Sequence, residues 1–238
     1  MAGGRPFYSD FGWAYDLLVD DPAEPWVDAV EAALARRGVS GPARILDAGC
    51  GTGRHAALLA ARGHAPVLLE PVAELLDQAR ERLPEAVALR GDLSVPPPVD
   101  PVDAATCRGV LNDVIADEER DAALRSLAAV VRPGGALVLD VREREATAAR
   151  YGAGRTLRRE AGGVVFTSEG RWDAAAGLVR VHERHEAGGR AAEHDFAMRP
   201  WTEAELRERL ARAGWREVEI APGVGDGRGD RRLVVASR

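Results

Sequence analysis

The stretch ILDAGCGTGRHA, residues 45–56, sets three glycines, Gly49, Gly51 and Gly53, between an apolar run and an alanine-rich run. Glycine lets a backbone turn tightly and come close to a ligand. A strand-to-helix turn of this composition reads as the first crossover of an α/β sheet. The pattern that follows supports it. APVLLE, AVALRGD, VDAATCRG and ALVLDVRE are short strand-like runs. Helical runs lie between them at 54–62, at VAELLDQARERL and at 117–131, and a further one precedes the loop at 26–37. Strands alternating with helices of this length predict a parallel sheet covered on both faces.

The pattern changes after residue 155. GGVVFTSEG, GLVRVHERHE and AAEHDFAMRP alternate with period two and are separated by glycine turns, which predicts an antiparallel insert. WTEAELRERLARAG then restores a helix, with Thr202 as its cap, Glu205 completing a capping box and Gly214 as its stop. WREVEI and RRLVVAS supply two last strands. The expectation is an α/β fold: a doubly wound, mostly parallel seven-stranded sheet with a small antiparallel β insert. Residues 1–40 would form an N-terminal helical cap or lid, 41–154 the core, 155–200 the insert, and 201–238 the helix and strands that complete the sheet.

Composition narrows the function. The 238 residues, 46% of them apolar, suffice for one sizeable core. The net charge of −6, with arginines and acids interspersed, argues against nucleic acid as a partner. No run is long and apolar enough to cross a membrane, and the start has no leader pattern, so a cytoplasmic location is expected. Two cysteines, Cys50 and Cys107, give neither a disulfide framework nor zinc spacing, and no metal is expected. The chain contains no lysine, which excludes a lysine Schiff base and a P-loop.

In doubly wound sheets a ligand binds beyond the carboxyl ends of the strands, where strand order reverses. The loop reads Gly49-x-Gly51-x-Gly53, with Arg54 where a dinucleotide fingerprint needs its third glycine. Glu70 ends the next strand, placed to accept hydrogen bonds from ribose hydroxyls and to repel phosphate. Together they suggest a nucleoside ligand without an essential phosphate at the loop, and S-adenosylmethionine fits.

At these residues the chain resembles the class I S-adenosylmethionine-dependent methyltransferases. LDAGCGTG is similar to their first motif, Glu70 falls at their ribose-binding acid, GDL (Asp92, Leu93) at their adenine-binding strand end, and RPGGALVLD at the turn into their fifth strand. The N-terminal YDLL, the insert, FAMRPWTEAELRERLARAGW and the closing DRRLVVAS resemble small-molecule members of the aminosugar N-methyltransferase and glycine N-methyltransferase type. The resemblance implies cofactor contacts from Tyr15, Asp47, Ala48, Gly49, Cys50, Gly51, Gly53, Glu70, Pro71, Asp92, Leu93, Cys107 and Arg108. Tyr15 would reach the methionine carboxylate, and the insert would wall the acceptor pocket.

Each assignment has a structural rival. Asp47 either reaches the cofactor's amine or braces the loop amides. Cys50 and Cys107 read as inert buried thiols. Asn112 and Asp113 either face the acceptor or cap the next helix. His182 and His185 point to opposite faces of a strand, so they make no metal pair. His194 shares an apolar face with Phe196 and Met198, as a core residue or a general base. Phe7, Tyr8, Phe11 and Trp13 form a lid or an ordinary helix face.

Methyl transfer is an in-line displacement whose main demands are alignment and exclusion of water. A base is needed only where the nucleophile must lose a proton, and His194, Asp113 and His185 are the candidates. The expected function is methylation of a small-molecule acceptor, at oxygen or nitrogen, by a monomer or homodimer. The alternatives are a cyclase or pericyclase that keeps the cofactor as a spectator, a cofactor-binding module without activity, and a dinucleotide oxidoreductase.

Overall fold

The computed structural model describes residues 5–19, 21–39, 41–225 and 229–238. The first four residues of the expected cap, with Asp20 and Ser40, lie outside the described residues.

Five strands run through the centre: β1 (Arg44–Ala48), β2 (Ala65–Glu70), β3 (Val87–Arg90), β4 (Val102–Arg108) and β5 (Val131–Arg142). All five pair in parallel. β10 (Arg216–Pro222) and β11 (Arg231–Ser237) close the sheet, β11 running antiparallel to β5 and to β10. The order is β10-β11-β5-β4-β1-β2-β3. Strand order reverses between β1 and β4, so a crevice opens at their carboxyl ends, after Ala48 and Arg108. The expected seven-stranded, mostly parallel sheet is what forms.

Alternation along β1 divides the core. Ile45 packs on one face with Trp26, Val27, Val30 and Leu34 of α2 (Glu24–Arg36) and Leu59 of α3 (Arg54–Ala61). Leu46 packs on the other with Leu124 and Leu127 of α5 (Asp117–Val130) and Leu206 and Leu210 of α7 (Glu203–Arg212). Each fully buried leucine contributes roughly 1.5–3 kcal/mol. α4 (Ala73–Arg82) sets Leu76 and Ala79 against Leu68 of β2.

The insert is a separate sheet of four strands, ordered β6-β7-β8-β9. Its members are β6 (Arg155–Ala161), β7 (Val164–Asp173), β8 (Leu178–Ala187) and β9 (Arg190–Met198). The first of these was not expected, and neither was α6 (Arg144–Tyr151) before it. Both are rich in arginine and glutamate, and the apolar alternation that marks the other strands is absent. They form because tertiary partners exist: β6 pairs along its whole length with β7.

The N-terminal segment includes a short helix, α1 (Tyr15–Leu18). Phe7, Phe11, Ala14 and Leu18 pack against Val164 and Phe166 of the insert. Trp13, expected in that cluster, is 54% exposed instead. Thr202 caps α7 as expected, accepting a hydrogen bond from the Glu205 amide at 3.1 Å. No return bond of a capping box is found among the described residues; Glu205 instead meets Arg120, Arg199 and Arg209 through Oε1.

Candidate functional site

A cavity of about 470 Å³ opens at the carboxyl ends of β1 and β4 and continues under the inner face of the insert, a size usual for small-molecule sites. One arm lies over the glycine loop. Gly49 has φ +75°, and a Cβ there would come within 2.2 Å of Val110 Cγ2. Only glycine lets the β4–α5 connection approach so closely. Gly51 has φ +56° and faces open space in the cleft.

Glu70, at the end of β2, is 5% exposed. One of its carboxylate oxygens accepts from the Gly51 amide and the other from the Val72 amide, both at 3.0 Å. Burial pushes its pKa up, and the two amides pull it back in part. Each oxygen keeps a lone pair for a ligand hydroxyl. Asp47 is buried beside it. Its Oδ1 accepts from the Thr106 hydroxyl at 2.9 Å, whereas its buried Oδ2 has no hydrogen-bond partner among the described residues. Desolvation pushes the Asp47 pKa up to about 6, with Thr106 and Arg108 opposing. A buried acceptor without a donor, on a residue that lines the cavity, suits a cationic donor from a ligand.

Tyr15, Cys50, Pro71, Asp92, Leu93 and Arg108 also line this arm. Asp92 accepts from the Ser94 amide at 2.8 Å. Arg108 is held by Asp21 at 2.7 Å. The N-terminal segment covers the arm and is tied to its rim. Asp16 accepts from the Thr52 hydroxyl at 2.7 Å and pairs with Arg82 at 2.7 Å, and Gln78 donates to the Gly12 carbonyl at 2.9 Å.

Three expected cofactor residues do not reach the lining. Ala48 and Cys107 are fully buried in the sheet core on the α5 side. Gly53 backs onto α4, where a Cβ would meet Ala79 Cβ at 3.0 Å; its task is helix packing. Burial pushes both thiols, Cys50 and Cys107, up in pKa.

The second arm is lined by Arg5, Tyr8, Asp113, Phe166, Ser168, Val181, Glu183, Phe196 and Met198. Asp113, read as a base or a cap, is not a cap: the residue before α5 is Ala116, which makes no side-chain cap. Asn112 instead accepts from the Arg142 amide at 2.7 Å and donates to the Gly109 carbonyl at 2.8 Å. Asp113 faces Arg5 at 3.3 Å, and Arg5 reaches on to Glu183 at 2.8 Å. The Arg5 guanidinium also donates to the Tyr8 hydroxyl at 3.0 Å and lies 3.8 Å from the Phe196 ring centre.

The two histidine candidates fall outside this lining. His185 is fully buried, with ring centres 5.1, 5.2 and 4.8 Å from those of Phe7, Phe11 and Phe166. Burial, and then Arg5, push its pKa down to about 4, so it packs as a neutral aromatic. His194 sits on the inner face beside Phe196, with ring centres 6.2 Å apart. His182 lies on the outer face, paired with Asp195 at 2.9 Å. Among the described residues no three side chains are grouped to hold a metal ion. Sequence reasoning passed over Arg5 and Glu183, and took Tyr8 only as part of an aromatic lid or helix face. For Glu183 a signal existed: it breaks an apolar row at period two along VRVHERHE.

Comparison with known proteins adds to this geometry. A family model described as a methyltransferase domain matches residues 45–135. The chain is 33% identical over 237 residues to the dTDP-3-amino-3,6-dideoxy-α-D-glucopyranose N,N-dimethyltransferase of Streptomyces fradiae, covering 96% of this chain and 92% of that protein. A sugar N-methyltransferase of a Streptoalloteichus species superposes with a TM-score of 0.74 at 25% identity, over 92% of this chain and 87% of the other. An amino pentose methyltransferase of Micromonospora echinaspora, solved with S-adenosylmethionine bound, does so with a TM-score of 0.68 at 27% identity, over 91% and 89%.

Proposed function

Because this chain belongs to the S-adenosylmethionine-dependent methyltransferases, we propose that it methylates an amino group on a small sugar-like acceptor, an aminosugar carried on a nucleoside diphosphate. When bound, the cofactor supplies an activated methyl group on a positively charged sulfur. The residues present fit it. Glu70, oriented by two amides, offers lone pairs to a ribose, and the unpartnered Oδ2 of Asp47 offers an acceptor to its ammonium. Gly51 leaves room for a chain laid over the loop.

One observation favours nitrogen over oxygen in the acceptor. Asp113 and Glu183 face the second arm on either side of Arg5. A methylated amine carries positive charge as it forms, and nearby carboxylates stabilise it. The same pair would oppose the negative charge that builds on a hydroxyl oxygen losing its proton. The aromatic and apolar walls, Phe166, Val181, Phe196 and Met198, exclude water and hold the amine desolvated. Arg142, Arg155 and Arg231 also line the cavity. Arg142 and Arg231 are engaged by Asp230 and Asp140. Arg155 lines the same cavity and is placed to meet an acceptor phosphate.

The test is to incubate the protein with S-adenosylmethionine and dTDP-3-amino-3,6-dideoxy-α-D-glucopyranose, the substrate in the relative's name, and to follow N-methylated sugar by mass spectrometry. The matching sugar with hydroxyl in place of the amine is the control. Methylation of the amine alone supports the reading; methylation of the hydroxyl compound, or of neither, overturns it.

A further inference from the structure

Along the inner face of β8 the side chains run Val179, Val181, Glu183, His185, all buried. Glu183 is a carboxylate in an otherwise closely packed row, 3% exposed, and it lines the cavity. Its two oxygens differ. Oε1 accepts from Arg5 at 2.8 Å, whereas Oε2 is buried and has no hydrogen-bond partner among the described residues. A buried carboxylate oxygen without a donor is costly. What the cavity holds can supply that donor.

The groups facing Glu183 come from every neighbouring element. Arg5 and Tyr8 approach from the N-terminal segment, and Asp113 from the β4–α5 connection. Ser168 on β7 and His194 on β9 are its register partners, and His185 follows on its own strand. Of these, Arg5 alone donates to it. Asp113, across the guanidinium, is wetter, with a side chain 24% exposed.

Resting on the aminosugar reading, we propose that Glu183 is a catalytic residue: Oε2 meets the acceptor's amino nitrogen and receives the proton it sheds. Arg5 is the positioning residue that holds Oε1. The acceptor nitrogen's lone pair forms the new N–C bond as the C–S bond breaks, and that bond's electron pair leaves with sulfur. The nitrogen then carries one proton too many, which passes to Oε2 and, after product release, to water. Burial, which raises the carboxyl's pKa, brings its proton affinity closer to that of the group it serves.

The experiment uses the full chain with S-adenosylmethionine and dTDP-3-amino-3,6-dideoxy-α-D-glucopyranose. Glu183→Gln keeps an oxygen for Arg5 but cannot take a proton. Its kcat should fall by roughly 100-fold, with affinity for S-adenosylhomocysteine retained and the acid limb of the kcat profile gone. Arg5→Gln should move that limb to higher pH, as the carboxylate loses its cation, which a merely structural role would not do. His182→Gln, on the outer face, should behave as wild type. If Glu183→Gln does not fold, Glu183→Asp replaces it, with a reduced kcat and the acid limb kept. Turnover of Glu183→Gln within about threefold of wild type, with an unchanged pH profile, overturns the assignment and leaves the aminosugar reading standing. So does a loss confined to cofactor affinity. Absence of methylated sugar from the wild type overturns that reading, and the assignment falls with it.

Discussion

The Gly51 amide donates to the Glu70 carboxylate at 3.0 Å, across the mouth of the cleft. This bond joins the loop after β1 to the end of β2. It makes the acid and the bare backbone one unit: the carboxylate cannot turn away without freeing the loop. A second amide, from Val72, fixes its other oxygen. A ligand that uses the carboxylate therefore finds it already oriented, with little ordering left to do.

Replacing Glu70 by Ala removes the hydroxyl acceptor and the loop's anchor together. Affinity for S-adenosylhomocysteine should fall by about 1–3 kcal/mol, measured by calorimetry. Glu70→Gln should lose less, since its amide oxygen can still accept from one of the two amides.

The two loop glycines should fail in different ways. Gly49→Ala forces a left-handed backbone on alanine and drives its methyl into Val110, a cost of roughly 2–5 kcal/mol. That loss appears in the urea midpoint of the ligand-free protein. Gly51→Ala meets no atom and should cost only about 1–2 kcal/mol of stability. Its methyl projects into the cleft, so the larger effect should be on cofactor affinity.

Asp47 should make cofactor binding sensitive to acid. Its pKa is raised to about 6 by burial, and a ligand ammonium needs it ionised. Affinity should therefore fall below pH 6, approaching about tenfold per pH unit. Asp47→Asn should weaken binding at pH 8 and flatten the profile. Without ligand the sign reverses. The native state holds a proton that the unfolded state releases near the ordinary carboxylate value, so stability declines as pH rises from about 4 to 6. Asp47→Asn should then stabilise the free protein at pH 8 by up to about 3 kcal/mol, read from denaturant midpoints.

His185 acts in the opposite direction over nearly the same range. Its pKa is pushed down to about 4 by burial, so the unfolded state binds the proton first. Stability from this residue is complete above the ordinary histidine value and is lost as pH falls toward 4. His185→Phe, which keeps a ring among Phe7, Phe11 and Phe166, should remove that loss, a relative gain of roughly 2 kcal/mol at pH 5 over pH 7.5.

Arg5 is the latch of the N-terminal segment. Arg5→Met leaves Glu183 and Asp113 facing each other without their cation. Breaking a buried pair from one side costs roughly 3–5 kcal/mol, less what Glu183 recovers by taking a proton. The amides of residues 7–18 should exchange with deuterium at least about tenfold faster, while those of β1 and β4 stay protected.

Much of this protein is local and could be read along the chain. The crossover strands, their helices and the acid closing β2 follow from periodicity and from glycine's freedom at Gly49 and Gly51. So does the split between inward and outward histidines on β8, because side chains alternate along a strand. Folding decided what alternation does not encode. β6 carries too few apolar residues to announce itself and exists through its pairing with β7. Cys107 and Ala48 lie on the right strands but face the packed side. Above all, the meeting of Arg5, Asp113 and Glu183 joins residues 108 and 178 positions apart. Patterns a few residues long were enough for the sheet and for the glycine edge of its cleft. Which carboxylates come together over the second arm was left to tertiary structure, because burial and pairing with a distant cation are not local properties.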